Sequence, residues 1–391
     1  MKLKEIYESA NTGLDAIKRA PILDYKTNLR CIRIQDISQL KSYNEWGYTK
    51  TTLNDYKKFK LKKNDILVAR TGATVGVSYI ANKEYEAVFN NGTIRLRLNN
   101  LVNPHFIYYI FQSKEFKQYI ENVSCVSTQP NLKVENLLRF EIPEYDKVTQ
   151  DLIVDVLLKY DEFIENNNKR ISMLEQMAEE IYKEWFVRFR FPEYSKYDLK
   201  KAKPYGWIYG NKSNMKIPSK WHFGRLEELG KFVRGKNITS AEMKEGEIPV
   251  VSAGIEPSGY HNESNVKGIS LTMSASGANA GYLKYNLDDI WAADCSYYQN
   301  DNNIWFVYSS LKFIESAIKN LQVGSAQPHV YAKNINKLNI IIPEEKYIKL
   351  YNYHVSLIFK KIKKLKEKNK ILIKQRDLLL PRLMSGKLEV K

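Results

Sequence analysis

Cysteine is scarce. Cys31, Cys125 and Cys295 are the only three in 391 residues, too few and too scattered for a disulfide framework or a cysteine metal cluster. The five histidines, His105, His222, His261, His329 and His354, show no metal-ligand spacing. No apolar run reaches the roughly eighteen residues that a bilayer-spanning helix needs, and residues 1–20 lack the apolar stretch of a secretion signal. A cytoplasmic protein with no membrane partner is expected. Catalytic motifs are missing too: there is no G-x-S-x-G, no H-E-x-x-H, no Rossmann glycine fingerprint, and no Asn/Asp-Pro-Pro-aromatic signature of an amino-methyltransferase. GKFVRGKN at 230–237 resembles a G-x-x-x-x-G-K-[ST] phosphate loop, but Asn237 stands where the metal-holding hydroxyl belongs and no core strand precedes it. Chance explains it better. The chain is expected to have no active site, no metal and no cofactor of its own.

Basic charge, by contrast, is abundant. The formal net charge is +17, which favours polyanionic partners, nucleic acid first. Its distribution is uneven. From Lys346 onward there are 14 Lys/Arg against 3 Asp/Glu, whereas residues 147–190 hold 7 basic and 9 acidic residues. One reading is a solvated basic helix face; the other is an acidic rod paired with a basic one, as flanking charges pair in coiled coils.

Two such rods are written into the sequence. From Lys147 to Phe191, apolar residues recur at gaps of three and four through Ile153, Val156, Tyr160, Phe163, Leu174, Met177 and Ile181. That is a heptad seam on a helix, about 40 residues or roughly 60 Å long. IPEYDKVTQDL at 142–152 is echoed by IPEEKYIKLYN at 342–352, and a second seam follows: Ile348, Tyr351, Val355, Ile358, Ile362, Leu365, Leu372, Leu379. Asn167 and Asn369 lie near the middle of their seams, so an antiparallel pair would bring them together, and a buried asparagine pair can fix register.

The globular stretches repeat as well. LKEIYESANTG (3–13) corresponds to LEELGKFVRGK (226–236), LVARTGATVGVSYI (67–80) to LTMSASGANAGYLKY (271–285), and VSTQPNLKVENLLRFEIP (126–143) to GSAQPHVYAKNINKLNIIIP (324–343). Between these landmarks the halves barely agree, as two readers of two different targets would. The predicted order is a domain at 1–142, a rod at 143–191, a polar three-proline linker at 192–218, a domain at 219–343, and a rod with tail at 344–391. Ile66–Val68 reads as a strand, Asn91-Gly92 as a hairpin turn, and 103–123, opened by Pro104, as one helix. The small-residue turns TGATVG (71–76) and SGANAG (276–281) either approach phosphate through backbone N–H groups or simply let strands pack.

EEIYKEWFVRFRFP (179–192), LLLPRLMSGKLEV (378–390), the ARTGATVG strand and turn, and the two QP-to-IP segments together resemble the specificity subunit of type I restriction–modification enzymes, over nearly the whole chain. One departure is a P-x-x-W lead-in, present in the second half as IPSKW (217–221) and lacking in the first. The resemblance implies an α+β fold: two target-recognition domains of mixed strands and helices in pseudo-two-fold repeat, separated by two long helices forming an antiparallel coiled coil. It also implies partners, namely double-stranded DNA with an asymmetric bipartite target, two modification subunits carrying S-adenosylmethionine, and restriction/translocase subunits using ATP and Mg.

Candidate DNA-facing residues flank the shared landmarks: Arg70, Thr71, Gln129, Lys133, Ser276, Asn279, Lys284 and Gln327. Trp185, Phe186, Phe189, Leu380, Leu383 and Met384 are more apolar than exposed rod ends should be. They dock either on a partner subunit, the assignment taken here, or on the chain's own halves. A single-chain DNA-modifying enzyme and a coiled-coil scaffold without a DNA role are the rival readings.

Overall fold

The computed structural model describes residues 1–39, 41–124, 130–202, 215–324 and 328–390. Contacts divide the chain into two compact units, Met1–Glu165 with Asn369–Lys391, and Asn166–Lys368. The division passes through both long helices, Lys147–Tyr182 and Glu345–Met384, so each unit owns a segment of each rod.

In the first unit, a four-stranded antiparallel sheet runs in the order Tyr7–Thr12, Thr93–Leu98, Ile66–Ala69, Ser78–Ile80. Period-two alternation puts Ile94 and Leu96 of TIRLRL into the core and Arg95 and Arg97 on the other face. There Arg97 holds Asp65 with two bonds of 2.7 and 2.8 Å. A second sheet, Ile22–Leu23, Gly47–Thr49, Leu29–Ile32, Ala87–Phe89, ends in a parallel pair. The Asn91-Gly92 turn therefore joins strands of different sheets. It is no hairpin, and neither residue has the positive φ that a type I′ turn requires. The segment 103–123 forms two helices, Pro104–Ile110 and Lys114–Ser124. Ser113 Oγ accepts from Phe116 N (3.2 Å) at the start of the second, and the break lets Phe111 and Phe116 stack at 4.2 Å.

The second unit repeats the plan. Its four-stranded sheet runs Val233–Arg234, Cys295–Tyr298, Ser270–Ser274, Leu283–Asn286, and a smaller sheet, Gly259–His261, Ile248–Val251, Trp291–Ala292, again ends in a parallel pair. The expected linker contains a strand pair: Leu199–Ala202 pairs with Met215–Pro218. Val233–Arg234 lies inside the GKFVRGKN stretch and pairs as a strand, so that stretch is no strand–loop–helix phosphate cradle. Cys31 and Cys295 are buried in their units, and burial pushes both thiols up to about 12. Among the described residues, no group of His, Cys, Asp and Glu is placed to hold a metal, and no helix is long and apolar enough to cross a membrane.

The rod segments belong to the unit cores. In the first unit Ile153 and Leu157 share a core with Leu380, Leu383 and Met384. Tyr145 Oη donates to Met384 O (3.2 Å), and Arg376 Nη1 donates to Asp161 Oδ1 (2.6 Å). In the second unit Phe191 meets Tyr347 at 4.6 Å between ring centroids, Tyr351 Oη donates to Ala178 O (3.1 Å), and Glu175 and Lys366 both engage Tyr285. Within each unit numbering rises on one segment as it falls on the other, so the segments pair antiparallel.

The inward stripe of the first rod differs from the expected seam. Ile153, Leu157, Asn167, Ile171, Ala178 and Tyr182 are buried, while Phe163 and Met177 are 57% and 54% exposed. Both stripes have heptad spacing, and spacing alone does not say which is inside. Asn167 and Asn369 are both buried, on the inward stripes of their helices. The first rod also ends sooner than expected. A single π turn, Lys183–Val187, follows Tyr182, and Phe189 takes a φ of 58°.

Asp161 receives hydrogen bonds from Tyr109 Oη as well as from Arg376. Arg376→Ala should therefore cost about 1–3 kcal/mol, as loss of a hydrogen bond to a charged, partly exposed carboxylate does. Phe163→Ala should stay within about 0.5 kcal/mol, as exposed substitutions do. Denaturant melts of the two variants measure the difference; equal losses would contradict the inward stripe assigned here.

Candidate nucleic-acid interface

Each four-stranded sheet ends in the same glycine turn, held by the same bonds. Gly72 N donates to Pro130 O and Gly277 N to Pro328 O (3.3 and 3.0 Å). Gly76 N donates to Ala69 O and Gly281 N to Ser274 O (both 2.9 Å). Leu132 N donates to Arg70 O and Val330 N to Ala275 O (2.7 and 2.9 Å). One-residue bridges join Thr71 to Asn131 and Ser276 to His329. Gly72 and Gly277 have φ of 79° and 74°, Gly76 and Gly281 of 87° and 86°, a region that costs a residue with a Cβ roughly 1–2 kcal/mol. At Gly76 and Gly281 a Cβ would also sit 3.0 and 3.1 Å from the Cγ2 atoms of Ile120 and Ile318. These turns clamp the segment after each QP dipeptide to the sheet.

The side chains on this frame differ between the units. In the first, Arg70 Nη2 donates to Asn131 Oδ1 (3.0 Å), Thr71 is half-buried, and Lys133 is exposed. In the second, Ser276 is buried and its hydroxyl donates to Asp294, which also holds Arg234. Burial pushes the Asp294 carboxyl up, but the bonds from Ser276 and Arg234 outweigh it and hold it below the usual range. Asn279 is half-buried in the turn. Lys284 is spent within its own unit, with Nζ donating to Ile255 O (2.9 Å). Gln129 and Gln327 lie outside the described residues.

Sequence reasoning missed Asn131, His329, Arg234 and Asp294. Asn131 and His329 directly follow the QP landmarks and could have been found by aligning the repeats. The pairing of Arg234 with Asp294 spans 60 residues and left no local signal.

Most of the expected partner-docking cluster lies in the chain's own cores. Phe186 is fully buried, packed on Phe306, Tyr351 and Trp221 at centroid distances of 4.9, 5.2 and 5.7 Å. Leu380, Leu383 and Met384 are buried in the core of the first unit. Trp185 and Phe189 are half-buried, with Trp185 against Tyr351 and Phe189 against Trp221. Phe186, Leu380, Leu383 and Met384 thus close the chain's own cores, while Trp185 and Phe189 keep part of their surface exposed.

A model described as the type I restriction modification DNA specificity domain matches residues 1–176 and 218–375, most of the chain. The chain is 26% identical over 340 residues to the type I restriction enzyme MjaIX specificity subunit of Methanocaldococcus jannaschii, covering 81% of this chain and 76% of that protein. It is 24% identical over 365 residues to the HindI specificity subunit of Haemophilus influenzae, covering 74% and 78%. In fold it is similar to a crystal structure of a type I restriction-modification S subunit from M. genitalium, with a TM-score of 0.53 at 19% identity over 98% of this chain and 95% of that one. The chain belongs to the family of type I restriction–modification DNA specificity subunits.

Proposed function

We propose that this chain reads an asymmetric, bipartite DNA target and carries the modification subunits to it. The observation that carries the reading is the shared frame: one sheet order and one clamped glycine turn in both units, with different side chains hung on each. Each unit would read one half-site through the major groove, where donor and acceptor patterns separate all four base pairs. Lysines and arginines on phosphate would add affinity and salt dependence without sequence information. The chain itself performs no chemistry in this reading. S-adenosylmethionine belongs to two modification subunits, ATP and Mg to restriction/translocase subunits, and the complex works in the cytoplasm, where the DNA is.

The outward faces of the rods support a docking surface for the modification subunits. In the second unit Leu350, Tyr353, Leu357, Met173 and Met177 are exposed; in the first, Ile371, Leu378 and Phe163 are. Leu350 and Leu357, like Ile371 and Leu378, are seven residues apart, and an exposed heptad stripe fits a further helix.

Co-expressing the chain with its modification subunit and mapping methylated adenines should give one bipartite sequence with two unlike halves. A single uninterrupted site, or methylation that does not depend on this chain, would refute the reading. The double variant Leu350→Glu, Leu357→Glu should weaken capture of the modification subunit at least tenfold and leave the melting temperature of the chain within a few degrees of the parent. Phe186→Ala should instead destabilise the chain by about 3–5 kcal/mol. Undiminished capture by the glutamate variant would show that the outward stripe is not the docking face.

A further inference from the structure

In each unit an arginine from an unrelated place in the sequence is anchored on a residue linked to the one before the first turn glycine, Thr71 or Ser276. Arg70 stands directly before the first glycine turn and is anchored through Nη2 to Asn131, the residue bridged to Thr71. Arg234 comes from the short strand Val233–Arg234 at the edge of the other sheet. It is anchored through Nη2 to Asp294, which also takes the hydroxyl of Ser276, the residue bridged to His329. The position matching Arg70 in the second unit is Ala275, since Arg70 O and Ala275 O accept the equivalent bonds from Leu132 and Val330. The second unit thus lacks the arginine at that point and supplies one from another strand.

Both guanidinium groups are tethered by a single nitrogen, and no hydrogen bond from Nη1 is found for either among the described residues. Arg234 is about half exposed, at 48% of its side chain. In Arg70 the Nε is buried without a partner, so Nη1 is the donor it has left; a guanidinium held at one nitrogen still offers N–H donors suited to an oxyanion.

Resting on the reading of this chain as a DNA reader, we infer that Arg70 and Arg234 are equivalent phosphate clamps, one for each half-site. The two arginines hang on the part of the frame that both units share, whereas the bases to be read differ from one half-site to the other. A group that both units supply by different routes answers a need common to both targets, and the phosphate backbone is what both targets have in common.

The test uses the full chain in complex with its modification subunit and a duplex carrying the target found by methylation mapping. Affinity is measured against salt for the parent, Arg70→Gln, Arg234→Gln and the double variant. Each glutamine variant should lower the slope of log K against log salt by about 0.9, and the double variant by about twice that. Each should weaken every single-base variant of the target by the same factor and leave the methylated sequence unchanged. Arg70→Lys and Arg234→Lys, which keep the charge and lose the guanidinium, should restore the parental slope and also keep the sequence. An unchanged slope in the glutamine variants, or relaxed selectivity at one base position in any variant, would overturn the inference. If a glutamine variant fails to fold, the lysine variant still decides, because loss of selectivity at one position in it signals base reading and retention supports the clamp. A parent complex that binds no bipartite duplex would instead refute the DNA-reading function itself.

Discussion

Neither compact unit closes its core without a piece of both rods. Ile153 and Leu157 come from one long helix and Leu380 and Leu383 from the other, yet they fill a single core. In the other unit Ala178, Tyr182 and Tyr351 do the same, and Phe359 of the second rod stacks on Trp305 at 3.7 Å and 6°. Such an aromatic pair contributes about 0.5–1.5 kcal/mol beyond its buried area. The rods are therefore not spacers attached to finished domains. The second rod's far end returns to the unit where the chain begins, so each recognition unit is stabilised by residues about 200 positions away.

That constraint divides labour along each helix. One stripe is consumed in holding the chain's own fold, and the other is left exposed. It also accounts for the aromatic density around the end of the first rod. The π turn at Lys183–Val187 and the left-handed Phe189 end the helix where Phe186 and Phe191 enter a core with Trp221. Trp221 is the tryptophan of the P-x-x-W lead-in of the second half, and it is fully buried there.

Much of this was legible in the residues. The rods announce themselves by heptad spacing, and the paired landmarks give the repeated frame, because a glycine turn clamped to a QP segment needs the same residue types in the same order. The rest was hidden for physical reasons. Periodicity shows that a helix has apolar stripes but not which one faces inward, so Phe163 and Met177 were placed in the seam when they are outside it. Asn91-Gly92 has the composition of a hairpin turn, but the partner of each flanking strand was decided by distant pairing. Apolar rod ends look equally sticky whether they meet another subunit or the chain's own core. Asp294 and Arg234 are ordinary charged residues until the sheet brings them together.

In the proposed bipartite reading each unit needs a segment of both rods, and the rods set the gap between half-sites; matched insertions test this most directly. Four residues added to each rod where the units divide, after Glu165 and after Lys368, would leave the inward contacts of both cores in place. They lengthen the helices by roughly 6 Å and turn one end relative to the other by about 40°, close to two base-pair steps of about 3.4 Å. Sequencing the methylated sites of this variant beside the parent's should show the same bases in each half-site with a longer gap between them. An unchanged gap with altered half-site bases would contradict the account.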